Sequence, residues 1–373
     1  MVVSSYLSNH SNDELRKYFS ILCNNDYPGF IDKYINCDEL QRLKGVGQFC
    51  GVDYNSLTLH DTKYWYSRLD HSVACALIVW HLTKDKTQTL GALFHDVGTP
   101  AFAHSIDYMH RDYIKQESSE KSTDQIIRNS SYIKELLDSD NVDYDDIINI
   151  ERFPVVENER PNICVDRLEG IFSTGLVWAR FWKLEDINKI YKSIVVLKNS
   201  DDKDEIGFSD LLIGEYFYRG AYKYSMLLQL NEDKLSMQLT GDVMKMAIDY
   251  NVISNADLYR LSERDIIDKI RNSDNEVVKY VWSKFEKLNK VIKTNIKPVD
   301  KYYISIDCKK RYVNPLISID NNNQRLTEIS SLAKKLDDVY TNFNDTNYAY
   351  IDLEPIKKLV KRRDKHDLYE KNS

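Results

Sequence analysis

Five of the eight histidines fall between positions 71 and 110, and their company decides what they could do. His95 and Asp96 are adjacent, an imidazole beside a carboxylate, just ahead of Gly98. On the last turn of a helix, such neighbours can both lean toward one ion beyond the terminus. Neutral imidazole and carboxylate together suit a borderline divalent metal. His71 offers a second imidazole from the preceding helix. Arg68, one helical turn earlier on the same face, is placed to meet a phosphate bound to the same ion. A fourth ligand is expected from a later helix. Asp166 sits in Ile163-Cys164-Val165-Asp166-Arg167, a carboxylate among apolar neighbours, and a buried charge needs a partner or a metal. The chemistry on offer is the binding of one divalent cation beside a phosphate. The plainer alternative is a set of histidines satisfied within their helices and aspartates that cap or ion-pair.

Those side chains need helices to carry them, and the patterning supplies helices. Leu69, Val73, Ala76, Leu77 and Trp80 form one stripe, predicting a helix over Ser67 to Lys84. A second runs from Lys86 to Val97, where Gly98 and Pro100 stop it. Further helices are expected over Ala101 to His110, Ser119 to Asp138, 161–182, 206–250, 255–295 and 325–340. Short helices are expected within 13–50, and an irregular connection over 51–66. Strands are expected only late: Tyr302-Ile304-Ile306 alternates with polar residues, and Arg311-Tyr312-Val313-Asn314-Pro315 follows.

Composition narrows the class. The chain has 373 residues, 42% hydrophobic and 29% charged, which excludes collagen-like and wholly disordered proteins. Only 12 glycines and 7 prolines favour helices over a turn-rich β fold. The longest apolar run, Val73 to Trp80, is too short to cross a bilayer, so no membrane is expected. The first residues lack the pattern of a signal peptide, and the six cysteines contain no C-x-x-C pair, so a reducing cytoplasm is expected. A net charge of −7 argues against nucleic acid as the main ligand. The basic tail over 357–366 reads as a solvated end, and the tyrosines, Tyr216, Tyr218, Tyr222 and Tyr224 among them, read as packing residues.

His71, His95-Asp96 and Asp166 resemble the ordered H…HD…D signature of the HD-domain metal-dependent phosphohydrolases. Gln41-Arg42-Leu43 with Gln48, Arg68-Leu69-Asp70-His71-Ser72, and His95-Asp96-Val97-Gly98-Thr99-Pro100-Ala101-Phe102-Ala103-His104 are similar to the deoxynucleoside triphosphate triphosphohydrolase branch, which includes the sterile-alpha-motif-and-HD-domain enzymes and bacterial dGTPases. The likeness spans about 37–180, with a weaker echo through Asp257–Ile270 and Arg311–Pro315. It implies one divalent ion (Mn, Fe, Mg, Ni or Zn) on His71, His95, Asp96 and Asp166. It implies His104 as a general acid or base with Asp107. A carboxylate at that spacing orients an imidazole and raises its basicity. It also implies a place for Gln48 near the sugar, for Arg68 and Arg167 near the phosphates, a nucleotide substrate, and a homo-oligomer.

The chain departs from that branch at four positions. Thr99 and Ser119 stand where the branch carries histidines, and Gly170 and Thr174 where a tyrosine and an aspartate line the sugar pocket. Glu120 keeps a position of the branch. Other readings of single residues stay open. Arg68 could pair with Asp70 and Arg167 with Glu169, and Gln48 could cap a helix. His81 reads as structural, and His110 as solvent-facing or as a substitute for a missing histidine. The expected architecture is mostly α: an N-terminal helical segment (1–36), an HD-domain core (37–250) and a C-terminal helical and α+β extension with a basic tail (251–373). The expected activity is metal-dependent hydrolysis of a nucleotide, with (deoxy)nucleoside triphosphate giving nucleoside and triphosphate. The alternatives are another phosphate ester, such as a nucleoside monophosphate or a pyrophosphorylated nucleotide, or a metal- and nucleotide-binding regulator with little turnover.

Overall fold

A computed structural model describes residues 5–116, 120–320 and 322–353. The chain is 55% helical, and two small sheets complete it, as the mostly α expectation requires. Ser119 and the tail over 357–366 lie outside the described residues, as does the side chain of Glu120.

The helices that matter here are α1 (Asp13–Cys23), α2 (Arg68–Thr83), α3 (Lys86–Phe94), α4 (His104–Met109), α5 (Val165–Ser173), α6 (Leu211–Leu227), α7 (Asn231–Asp249), α8 (Glu263–Arg271), α9 (Glu276–Glu286) and α10 (Ser331–Thr341). Helix α2 is the central one. Every residue from Arg68 to Val79 is buried, as expected of a helix that is apolar around most of its circumference. It packs against α1, α3 and α5.

Its start is fixed by a reciprocal cap. The Ser67 hydroxyl accepts from the Asp70 amide at 3.1 Å, and the Asp70 carboxylate accepts from the Ser67 amide at 2.9 Å. This cap sets the rotation that aims Arg68 and His71 inward. Ser67→Ala removes one half of the box and is expected to lower stability by about 1 kcal/mol, read as a lower Tm.

Two apolar clusters form. The first gathers α1, α2, α3 and α5 with Phe208 and Phe217. The second joins Leu235, Leu239 and Val243 of α7 to Ile266 of α8, Trp282 and Phe285 of α9, and also to Ala101, Phe102 and Ile106. The segment leading into α4 is thereby part of the packing of the C-terminal third.

Several boundaries differ from expectation. The helix expected over 161–182 is α5 running into a single π turn at Thr174–Trp178. The stretch 206–250 begins instead in a strand and breaks at Leu228–Leu230. The stretch 255–295 divides because Ser262 and Asn275 each cap a fresh helix with their side chains, and it ends in a strand. The four-stranded sheet has the order β1-β2-β5-β6, from β1 (Ile194–Lys198), β2 (Asp204–Phe208), β5 (Leu316–Ile319) and β6 (Asn322–Arg325). Strands β1 and β2 form an antiparallel hairpin, and β2 pairs parallel with β5 across more than a hundred residues of chain. That hairpin was not legible, because a short run such as Ile194-Val195-Val196-Leu197 suits a buried helix equally well. The second sheet is β3-β7-β4, from β3 (Ile292–Thr294), β4 (Tyr302–Ile304) and β7 (Tyr348–Ile351). Arg311–Pro315, expected as a strand, is a connection leading into β5; Pro315 has no amide to donate to a ladder.

Candidate functional site

The ends of α2, α3 and α5 meet at one point. His71 contributes from α2, His95 and Asp96 from just past α3, and Asp166 from the first turn of α5. The Nε2 atoms of His71 and His95 lie 3.2 Å apart. Asp166 Oδ1 lies 3.1 Å from His71 Nε2 and 3.7 Å from His95 Nε2. Asp96 Oδ2 lies 3.7 Å and 3.6 Å from the same two atoms.

The tautomers follow from what the other ring nitrogens face. His95 Nδ1 is 2.7 Å from the Ala92 carbonyl, which only accepts. His71 Nδ1 donates to the Glu169 carboxylate. The two Nε2 atoms are thus left facing each other and Asp166, and in the neutral rings their lone pairs could be shared by one cation. Ligands bound at about 2.1 Å to one ion stand roughly 3.0–3.4 Å apart in octahedral or tetrahedral arrangements; the 3.1 and 3.2 Å spacings match this, and the 3.6–3.7 Å spacings would close by a few tenths of an ångström around a single divalent ion. Cys75 Sγ is also near, but it sits 3.9 Å from Nδ1 and 3.8 Å from Nε2 of His71. It flanks the ring and lies along neither lone pair, and burial pushes its thiol up to about 12.

The charges agree with this geometry. Burial disfavours ionised Asp166, yet hydrogen bonds to His71 and His95 hold its carboxyl well below the usual range. Its side chain is 37% exposed, because it opens onto an internal cavity. Burial likewise opposes charge on Asp96, and Arg68, then His95 and His71, overcome it. Burial works against charge on both imidazoles; Cys75 and Glu169 beside His71, and Asp96 beside His95, raise them above the ordinary histidine value.

Glu169, at 0% exposure, is the hub behind His71. Tyr18 and Tyr66 donate to its Oε1 at 3.0 and 2.6 Å. It does not pair with Arg167. A buried carboxylate that orients a ligand imidazole and raises its basicity is a standard support for a metal ligand. Glu169→Gln is expected to weaken metal affinity by roughly 10–100-fold with the fold intact, measured by chelator competition. An acid among apolar residues, the signal that marks Asp166, also marks Glu169 one turn later.

Gln48, Arg68, His104 and Arg167 line the same cavity, which has a volume of about 860 Å³. Arg68 donates to Asp96 Oδ2 at 2.7 Å and to the Gln48 carbonyl at 3.3 Å, so its partner is the doublet's own acid. Asp70 is held instead by Ser67, Tyr6 and His10. Thr99 donates to Asp96 Oδ1 at 3.0 Å and helps orient that carboxylate. Gln48 borders the cavity with a buried side-chain oxygen that has no hydrogen-bond partner among the described residues; it caps no helix. Arg167 donates to Glu157 at 3.2 Å and to the Asn162 carbonyl at 3.0 Å, and is clamped also by Asn158. His104 Nδ1 is 2.9 Å from Asp107 Oδ2. His81 stacks near Tyr191 and His110 is exposed. Tyr224 is not mere packing: it borders the cavity, and a Cβ on Gly170 would stand 4.0 Å from its hydroxyl.

No family model matches the chain. A Bacillus subtilis protein described as uncharacterized, YdhJ, is 22% identical over 314 residues, 83% of this chain and 90% of that one. The metal-dependent phosphohydrolase cns2 of Cordyceps militaris is 26% identical over 160 residues, 42% of this chain and 43% of that protein. A hypothetical protein from Aquifex aeolicus superposes with a TM-score of 0.61 at 16% identity, covering 86% of this chain and 91% of the other. A phosphohydrolase from Bacteroides thetaiotaomicron superposes with a TM-score of 0.58 at 13% identity, covering 88% and 97%.

The chain shares its fold with these two structures. Within that fold the cavity gathers Arg160 and Arg311 beside Arg68 and Arg167. Arg160 donates to the Lys310 carbonyl and Arg311 to the Gln116 side-chain oxygen, both neutral acceptors, and neither guanidinium has a carboxylate partner among the described residues. Burial, and then repulsion from Arg311 and Arg167, lowers the Arg160 pKa. Phe49 and Trp178 give one wall an aromatic surface. Among the described residues no helix is long and apolar enough to cross a membrane.

Proposed function

We propose that this protein is a metal-dependent phosphohydrolase acting on nucleotides, and that its substrate is a (deoxy)nucleoside triphosphate, split to nucleoside and inorganic triphosphate. The observation that carries the reading is the pair of imidazole Nε2 atoms 3.2 Å apart, flanked by Asp96 and Asp166. An ion held there by His71, His95, Asp96 and Asp166 would neutralise phosphoryl charge and lower the pKa of water. His104 donates through Nδ1 to Asp107, which leaves Nε2 as a base for the proton of an attacking water.

The cavity supports the nucleotide assignment. Its volume of about 860 Å³ lies in the range of small-molecule sites. Arg160 and Arg311 add charge beyond what one phosphate needs, which favours a polyphosphate. Gln48 keeps an acceptor ready for a sugar hydroxyl, and Trp178 and Tyr224 offer faces for a base. Thr174, buried at the cavity wall, supplies a hydroxyl where the resembled branch has an acid, and this favours the second reading, a different phosphate ester.

A product assay decides. Protein loaded with Mn is expected to release inorganic triphosphate and nucleoside from at least one nucleoside triphosphate. Orthophosphate or pyrophosphate as the sole inorganic product would transfer the assignment to the second reading. Tight nucleotide binding without turnover across a broad panel would indicate a regulator.

A further inference from the structure

Two segments bearing site residues converge on a side chain that lies outside the cavity. Glu263 is the first residue of α8 and is 0% exposed. Its Oε1 accepts from the Gly47 amide at 3.0 Å and from the Phe102 amide at 2.9 Å. Gly47 immediately precedes Gln48. Phe102 lies two residues ahead of His104. Gly47 also bridges to Ser67, the cap of α2, and the Gln48 amide donates to the Tyr66 carbonyl at 2.9 Å.

Each side of this junction is built for close approach. A Cβ on Gly45 would stand 2.4 Å from the Ser262 Cβ, and one on Gly47 would stand 3.2 Å from Glu263 Oε2. The 45–47 strip therefore lies directly on the start of α8. On the other side the chain takes two successive left-handed residues, Phe102 at φ 65° and Ala103 at φ 43°. Neither is glycine, and such conformations persist only where surroundings impose them. The Ala101 amide donates to the Leu258 carbonyl at 2.7 Å, a second tie from the same C-terminal region.

We infer that Glu263 is a positioning residue for the site: one carboxylate oxygen locks the Gly47–Gln48 strip and the Phe102–His104 turn into register, so that Gln48 and His104 face one cavity. The inference rests on the reading of His104 as the proton-transfer group. The role needs an acceptor and not a charge. Burial pushes the Glu263 carboxyl up to about 7, with Asp53 adding to it and the two amides opposing, so the neutral amide of glutamine is a close substitute.

The test compares Glu263→Ala with Glu263→Gln in the full Mn-loaded chain. Turnover, bound metal and the His104 imidazole titration by NMR are followed together, at temperatures well below either Tm. His104 faces Asp107 on its own helix, Arg311 from the C-terminal region and Arg68 from α2. A displaced turn changes those distances and moves the titration. Glu263→Ala is expected to keep one metal per chain, lower kcat by about 10–100-fold and shift the His104 titration, because small misplacements of reacting groups are that costly. Glu263→Gln is expected to stay within about threefold of the native rate with the native titration. An unchanged titration and rate in Glu263→Ala overturns the inference. So does equal loss of metal and rate in both variants, which would make the residue a folding element only. If the native protein hydrolyses no nucleotide while His104 still shifts in Glu263→Ala alone, positioning stands and the hydrolase reading falls.

Discussion

His95→Ala is expected to take bound metal from about one per chain to near zero and to lower turnover by at least about 10³-fold, since charge neutralisation and water activation would leave with the ion. Asp96→Ala should do the same. His95 projects its Nε2 to 3.2 Å from that of His71 and has no substitute nearby, because Cys75 lies along neither lone pair. The His95 side chain is only 11% exposed but sits at a cavity wall, so truncation adds to existing space and leaves the core of α2 and α3 packed. Circular dichroism should therefore be native. Elemental analysis together with the nucleotide assay reads the result. Native metal content and native rate in either variant would remove the basis for the site.

His104→Ala is expected to separate binding from chemistry. Metal should remain, because His104 is outside the cluster of four, while kcat falls by about 10²–10⁴-fold. The pH dependence has a defined sign. Burial and then the charge of Arg311 lower the His104 pKa below the ordinary histidine value, with Asp107 pulling the other way. The imidazole is thus neutral at pH 7, with Nε2 able to accept a proton. As pH falls through the lowered pKa, the base protonates and the rate drops, so the acid limb of kcat/KM lies below the ordinary histidine range. Arg311→Gln removes a repelling charge and should move that limb upward. His104→Ala should abolish it. An acid limb that survives in His104→Ala would assign proton transfer to another group.

The site was legible as a set of residue types in apolar settings. A histidine beside an aspartate at a helix end, a second histidine within a helical stripe and a lone acid in Ile163–Leu168 are local facts, and the three helices that carry them obey local rules of periodicity and capping. His104 and Asp107 were legible for the same reason, being one helical turn apart. Arg68 was visible as a cation on the right face, but its partner was not: Asp96 reaches it only after α2 and α3 pack.

What stayed hidden depends on pairings far apart in sequence. Glu169 meets His71 across 98 residues, Arg311 meets Gln116 across 195, and Glu263 meets Gly47 across 216. The β1–β2 hairpin finds its parallel neighbour β5 at a similar remove. By itself the sequence determined the helical class and the local helices that carry His71, His95-Asp96, Asp166 and the His104–Asp107 pair, because helix periodicity, caps and side-chain chemistry act within a few residues. Only the tertiary structure decided that the two imidazoles face each other at one point, which acid meets which imidazole, and where arginines line the cavity. Those outcomes follow from how buried faces pack, and packing is a property of the whole chain that no short window of residues contains.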